Sequence, residues 1–226
     1  RLTAAGAQSL VIEQPSAFVE SPLERVLYRG ATILRAANED ETVAVAREES
    51  ARPGRLVAVY LPHVDTAAHA AGQQSELYAN ALAEVSRVWE ALAASLPAGV
   101  VAVGTADHGH VDVSADCSLP LPDLDGVVYY GDSRVVYVAG NTERAARLAG
   151  DLPAAWVSRS GMEGWWGPPP YHPAFEQRRP DGALVADDGF ALRFRGSDGP
   201  MVGHHGGLSQ GELRVPVLVA VGARAG

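Results

Sequence analysis

The sequence predicts an α/β fold, a mostly parallel sheet with helices on both faces and a loop-rich cap, and three observations predict it. Short apolar runs alternate with helix-favouring segments. One stretch reads as strand, long amphipathic helix and strand with short links, the βαβ pattern of a parallel sheet. A Pro- and Gly-rich tract then breaks this texture before a final apolar run restores it. With 226 residues, 47% of them hydrophobic, the chain is long enough for one sizeable domain, or a domain with a small appendage.

The elements follow in order. Leu10 to Glu13 is a short apolar run, and the loop "QPSAFVESP" comes after it. Asn38 to Ser50 is charged and helix-favouring; Glu39, Asp40 and Glu41 form a solvated start where acids suit the positive end of the dipole, and "ARPG" stops the helix. Arg55 to Leu61 reads as a buried strand, β-branched and bounded by Gly54 and Pro62. Leu77, Ala81, Leu82, Val85, Val88, Trp89, Leu92 and Leu96 recur at helical spacing, with Glu84, Arg87 and Glu90 on the opposite face. Pro97 and Gly99 end that helix, and Val100 to Gly104 is a second buried strand. Beyond Asp112, pieces such as "RVVYVAG" and "FALRFRG" alternate with "GWWGPPPYHP" and "RRPDG", with a helix near Thr142 to Asp151. Arg214 to Val221 is a core strand by composition. The expected organisation is a core over residues 1–111, a cap over 112–200 and a return to the core over 201–226.

Charge and composition narrow the function classes. Eighteen basic against 27 acidic residues leave a net charge of −9, so nucleic acid is not expected as a general partner. The single cysteine, Cys117, excludes an internal disulfide framework and a Cys-rich zinc module, so any metal must use His and carboxylates. Cys117 has no neighbouring pattern that would make it a nucleophile and reads as a small apolar residue. No run approaches the roughly 20 apolar residues that span a bilayer, and Arg1 to Gln14 is not a signal peptide. Localisation stays open, with the cytoplasm favoured. The chain begins at Arg1 without an initiator Met, so it is expected to be the back part of a longer protein, and a targeting segment upstream is not assessable.

Three stretches carry metal-ligand chemistry. Asp65 and His69 follow the strand at Arg55 to Leu61; four residues apart, they share one face of a helical turn, and a carboxylate with an imidazole suits zinc. Taken alone, "DTAAH" is also what a helix start with a surface His looks like. The second stretch, "TADHGHVDV", follows the next strand. Asp107 and His108 reach one ion from a loop, since adjacent strand side chains point apart, and Gly109 would free the backbone to turn. The competing pair is His108 with His110, which a strand would place on one side; Asp107 with His108 is favoured, and His110 is kept as a contact to the ligands or to substrate. The third stretch, "GHHGG", sets His204 and His205 among glycines that packing does not explain, and close approach to an ion or ligand does. Local chemistry does not separate the two histidines.

Together, "YLPHVDTAAHAAG", "TADHGHVDV" and "GHHGGLSQGELRVP", in this order, resemble the alkaline phosphatase superfamily, and within it the nucleotide pyrophosphatase/phosphodiesterase branch, especially its bacterial members. The resemblance runs from about Leu2 to Val221 and takes in "SAFVESPLERVLYRGA" and "GWWGP". It implies one zinc on Asp65, His69 and His205, because the family pattern is Gly, any residue, His, Gly, and a second zinc on Asp107 and His108. Such a pair of ions suits in-line phosphoryl displacement, with a metal-activated Thr or Ser nucleophile passing through a covalent intermediate. The implied substrate is a small phosphoester or nucleotide.

The chain departs from the pattern in three places. The nucleophile and the Asp ligand before it belong to an N-terminal segment that this chain lacks, so the chain alone is expected to be catalytically incomplete; Thr3 lies too far along to be that nucleophile. His110 stands where the family has Met, and His63 in "LPHV" is an extra imidazole, with His204 a further candidate contact beside the site. Trp165, Trp166 and Tyr171 read as an aromatic cluster that holds the cap, ahead of a substrate-stacking wall. His172, Arg178 and Arg179 read as surface groups. The expected activity is that of a two-zinc phosphodiesterase or nucleotide pyrophosphatase. The alternatives are a noncatalytic or fragmentary metal-binding α/β protein, or a related sulfatase, phosphonate hydrolase or phosphomutase.

Overall fold

A computed structural model describes residues 6–16, 20–197 and 201–223; Thr3 lies outside them. In chain order the elements are β1 (Gln8–Glu13), α1 (Pro22–Leu27), β2 (Thr32–Arg35), α2 (Glu39–Ser50), β3 (Arg55–Tyr60), α3 (His63–Ala71), α4 (Glu76–Ser95) and β4 (Val101–Thr105). There follow β5 (Val111–Asp112), β6 (Ser118–Pro120), β7 (Val127–Gly131), β8 (Val135–Gly140), α5 (Thr142–Ala149) and β9 (Ala154–Ser158). The chain ends with α6 (Pro173–Glu176), β10 (Gly182–Ala186), β11 (Ala191–Arg193), β12 (Gly203–His204), α7 (Gln210–Leu213) and β13 (Val217–Val221). It forms two compact units, the first being Arg1–Ala67, Glu76–Thr105 and Pro216–Gly226, the second Ala68–Ser75 and Ala106–Val215.

In the first unit β1 lies between β2 and β3 and is parallel to both. The central strand is the buried one: Leu10, Val11 and Ile12 are almost wholly covered, and Ile12 packs with Ala36 and Ala46 against Leu34, Val45, Val57, Val59 and Leu92. The helix α2 starts as its sequence directs. Asn38 accepts from the Glu41 amide at 2.9 Å and the Glu41 carboxylate accepts from Ala37 N–H at 2.6 Å, which satisfies donors that a helix start leaves open. In α4, Ala81 and Val88 are buried, while Leu77 and Leu82 of the expected apolar face are exposed.

Two expectations need correction. The sheets are mixed, not mostly parallel. Among the described residues β1 with β2 and β3, and β6 with β11, run parallel, whereas β4–β13, β5–β12, β7–β8, β8–β10 and β9–β10 are antiparallel. A strand–helix–strand pattern implies a parallel pair only when its two strands are neighbours. Here β4 hydrogen-bonds to β13, which arrives from the far end of the sequence in the opposite direction. The strands expected to be buried are also largely open on one side. Cross-strand neighbours Val103 and Val219 are 61% and 62% exposed, and Val101, Val217 and Val221 share that condition. The apolar composition of β4 and β13 identified strands; it could not identify what covers them.

The second unit centres on a four-stranded antiparallel sheet in the order β7–β8–β10–β9. One face of β8 and β10 packs Val136, Val138 and Leu184 against Ala145 and Ala149 of α5 and against Leu121 and Leu192. The other face packs Val135 and Ala183 on Met162, with Tyr137, Val157, Trp165 and Trp166 around them. The two tryptophans, with Tyr171 and Phe175 in ring contact beyond them, hold this part of the second unit together. Among the described residues no helix is long and apolar enough to cross a membrane.

Candidate metal centre

Three chain segments meet through a short ladder. The strands β5 and β12 pair antiparallel, Gly203 opposite Asp112 and His204 opposite Val111. Next to that ladder, the rings of His110 and His205 stand edge-on with centres 5.5 Å apart. The C-terminal end of α3 is laced to both strands. Val202 N–H donates to the His69 carbonyl at 2.9 Å, Gln73 N–H is held by the Asp112 carboxylate at 2.9 Å and 3.0 Å, and the Gln73 side chain donates to the His110 carbonyl at 3.1 Å.

The result is a cluster of imidazoles. His69, His110 and His205 offer ring nitrogens within 4.8 Å of one another, and α3 carries Asp65 one turn ahead of His69, on the same side of the helix. His108 stacks on His205 with ring centres 3.7 Å apart and stands edge-on to His110 at 5.1 Å. Asp107 is beside His108, at 3.7 Å, with its side chain largely in solvent. His110, which the sequence placed as a contact outside the ligand set, thus lies inside the close group, and it is the most buried of these rings.

Backbone acceptors decide which nitrogens are available. His69 Nδ1 lies 2.8 Å from the Gly203 carbonyl, which can only accept, so Nδ1 carries a proton and donates it there. His108 Nδ1 faces the Gly109 carbonyl at 3.1 Å in the same sense. A carbonyl-anchored imidazole of this kind is the usual support of a metal-ligating histidine. His204 has neither nitrogen to spare: Nε2 donates to the Met201 carbonyl at 3.2 Å and Nδ1 accepts from Ser133 Oγ at 2.8 Å. Burial pushes its pKa down from the ordinary histidine value. Three imidazoles so gathered fit a borderline divalent ion such as zinc.

The glycines also make room for close approaches within the protein. Gly109 does not adopt the left-handed region; a Cβ there would collide with the Gly211 carbonyl, while its N–H donates to the Glu212 carbonyl at 2.8 Å. A Cβ on Gly207 would lie 2.5 Å from the Glu212 carboxylate, and one on Gly203 would lie 2.5 Å from the Ala68 carbonyl. These close approaches are to the protein's own backbone and to a carboxylate.

His63 sits elsewhere, in the first unit, where its ligand atom and those of Glu39 and Glu84 lie within 4.8 Å of one another. A hydrogen bond joins the two carboxyls, holding Glu39 below and Glu84 above the usual range. Glu39 is therefore engaged with another element, although its sequence context read as a solvated helix start.

The residues that sequence reasoning missed are Arg134 and Glu212. Their side chains are each 1% exposed and form a two-pronged pair, Nε to Oε1 at 3.0 Å and Nη2 to Oε2 at 3.2 Å. Burial alone would raise the Glu212 pKa, but donors from Arg134, Ser209 and Gly207 outweigh it and hold the carboxyl below its ordinary value. A legible signal existed: Ser209 and Glu212 have the capping-box spacing, and both halves of that box are formed at α7.

Comparison with known proteins follows the same lines. The sequence pattern of type I phosphodiesterase / nucleotide pyrophosphatase matches residues 19–208. Among solved structures, mouse ectonucleotide pyrophosphatase/phosphodiesterase 5 is similar, with a TM-score of 0.71 and 22% identity over 97% of this chain and 61% of that one. An inactive threonine-to-alanine variant of the mouse protein in complex with AMP aligns over the same shares, with a TM-score of 0.68 and 21% identity. The human protein gives 0.65 and 17% over 96% of this chain and 61% of that one. The chain therefore spans about three-fifths of the length of these structures. No curated protein sequence matches significantly. With most of its length matched, ligand stretches included, the chain belongs to the type I phosphodiesterase / nucleotide pyrophosphatase family.

Proposed function

We propose that this chain is the metal-holding portion of a metal-dependent phosphoric-ester hydrolase of the phosphodiesterase or nucleotide pyrophosphatase type. The observation that carries the reading is the cluster of His69, His110 and His205 with Asp65 on the same helix as His69, in which a backbone carbonyl already fixes the His69 proton on Nδ1. Asp65, His69 and His205 would hold one divalent ion, and Asp107 with His108 a second. His110 is close enough to join the first set. When bound, such ions supply Lewis-acid stabilisation to the attacking and leaving oxygens of phosphoryl transfer.

The chain's own groups orient and buffer that chemistry. The Gly203 carbonyl sets the His69 tautomer, the β5–β12 ladder sets the distance between His110 and His205, and the solvent-facing Asp107 lies where a polar substrate can approach. A Thr or Ser nucleophile is assigned to sequence upstream of Arg1. In support, the inactive mouse relative, which carries a threonine-to-alanine change, is in complex with AMP, a nucleotide of the ligand class proposed here.

The test is metal content followed by turnover. Protein that includes the upstream segment should carry about two divalent ions per chain and hydrolyse a chromogenic phosphodiester. His69→Ala and His205→Ala should each abolish that hydrolysis. A metal content near zero in protein never exposed to chelators, or near-normal turnover in both variants, overturns the reading.

A further inference from the structure

Besides its own hydrogen bonds, the third ligand stretch is held by a distant turn. Between β7 and β8 the chain reverses through Asp132, Ser133 and Arg134, and three successive side chains reach three parts of the segment around His205. The Asp132 carboxylate lies 3.5 Å from His205 Nδ1. Ser133 Oγ donates to His204 Nδ1 at 2.8 Å. Arg134 grips Glu212 at 3.0 Å and 3.2 Å. Glu212 passes this constraint on, accepting from Gly207 N–H at 2.8 Å and from Ser209 Oγ at 2.7 Å, while its backbone carbonyl takes the Gly109 N–H at 2.8 Å. The loop of His108 and His110 and the loop of His205 are thus fastened to one buried carboxylate residue.

The fit is tight enough to leave little freedom. A Cβ on Gly206 would lie 2.9 Å from the Asp132 Cβ, so the His205 loop and the turn are in direct contact. The turn is itself anchored from behind, because the Arg134 guanidinium also donates to the carbonyls of Asp187, at 2.7 Å, and of Phe190.

We propose that Asp132, Ser133 and Arg134 form a positioning device for metal binding, in which Asp132 keeps the His205 proton on Nδ1 and so presents Nε2 to the ion. This rests on the metal reading above. A carboxylate behind a ligating imidazole fixes its tautomer and raises its basicity, and losing such support weakens metal binding by about 10–100-fold. Ser133 fixes the neighbouring ring, and the Arg134–Glu212 pair fixes the loop that both rings stand on.

The experiment measures Zn2+ affinity of the full chain by competition with a chromogenic chelator, in wild type, Asp132→Asn and Ser133→Ala, with Leu184→Ala as a control that loosens the core of the same unit. Imidazole 15N spectra of the metal-free protein report the tautomers. The expected result is about tenfold or weaker binding in both turn variants, an Nδ1-protonated His205 that becomes a tautomer mixture in Asp132→Asn, and a control with lowered Tm whose affinity stays within about twofold of wild type. Wild-type affinity in both turn variants, or an equal loss in Leu184→Ala, overturns the positioning role while leaving the metal site standing. Failure of the wild type to bind Zn2+ at all overturns the metal reading itself.

Discussion

Two valine-rich strand pairs in this chain meet opposite fates. In the second unit, Val135, Val136 and Val138 of β8 and Ala183 and Leu184 of β10 are between 0% and 3% exposed. In the first, Val101, Val103, Val217, Val219 and Val221 of β4 and β13 are between 58% and 69% exposed. The pairs have similar compositions and the same antiparallel ladder. They differ in what lies over them: α5 on one face of β8–β10 and the Met162–Trp165–Trp166 layer on the other, against a β4–β13 face with no such cover in the described residues. Branched apolar residues favour the pleated backbone, but burial is a property of the layer above.

The largest effect expected from breaking this contrast lies at the head of β8. Arg134→Met removes the guanidinium and leaves the Glu212 carboxylate buried without its partner, which should cost about 3–5 kcal/mol. Urea unfolding monitored by tryptophan fluorescence measures it, and a loss under about 1 kcal/mol would mean that Glu212 finds water once Arg134 is gone. Next is Leu184→Ala in β10, at 0% exposure, which should cost about 2–5 kcal/mol through lost transfer energy and a cavity between two packed layers.

Acid should act through the same pair. The Glu212 carboxyl is held below its ordinary 4.5 by its donors, so the stability it contributes is present above that value and is lost as pH falls through the lower, folded-state value. Thermal melts from pH 6 downward should therefore fall more steeply below about pH 4.5 in wild type than in Glu212→Gln. Parallel curves would show that other carboxylates dominate the acid limb.

How much was legible follows from the same physics. Period and punctuation located the elements well: α2 begins one residue after its Asn38 cap, α4 covers the helical repeat except Leu96, and β3, β8 and β13 fall within their apolar runs. Strand direction was not legible, because β4 takes its partner from more than a hundred residues away. The ligand stretches were visible as residue types, yet the place of His110 depended on the β5–β12 register, a pairing of two-residue strands that no local pattern announces. Glycine density marked a close approach without saying to what, and the answer at Gly109 and Gly207 was Gly211 and Glu212. Arg134 falls within the strand-like piece "RVVYVAG", and nothing near it in sequence shows that its partner lies 78 positions on.

The smallest expected effect tests the open face directly. Val219→Thr keeps the β-branched shape and the strand preference, and at 62% exposure the side chain has little burial to lose. The chain studied alone should change in stability by no more than about 0.5 kcal/mol. The same substitution in protein extended upstream separates two cases. An unchanged stability there means that β4 and β13 face solvent in the longer protein as well. A loss of about 1 kcal/mol or more means that burial has been acquired, since hiding a methyl-bearing surface from water is worth about that much and a hydroxyl in its place would be left without a partner. Sedimentation of both forms then tells whether the covering layer is the added segment or a second copy of the chain.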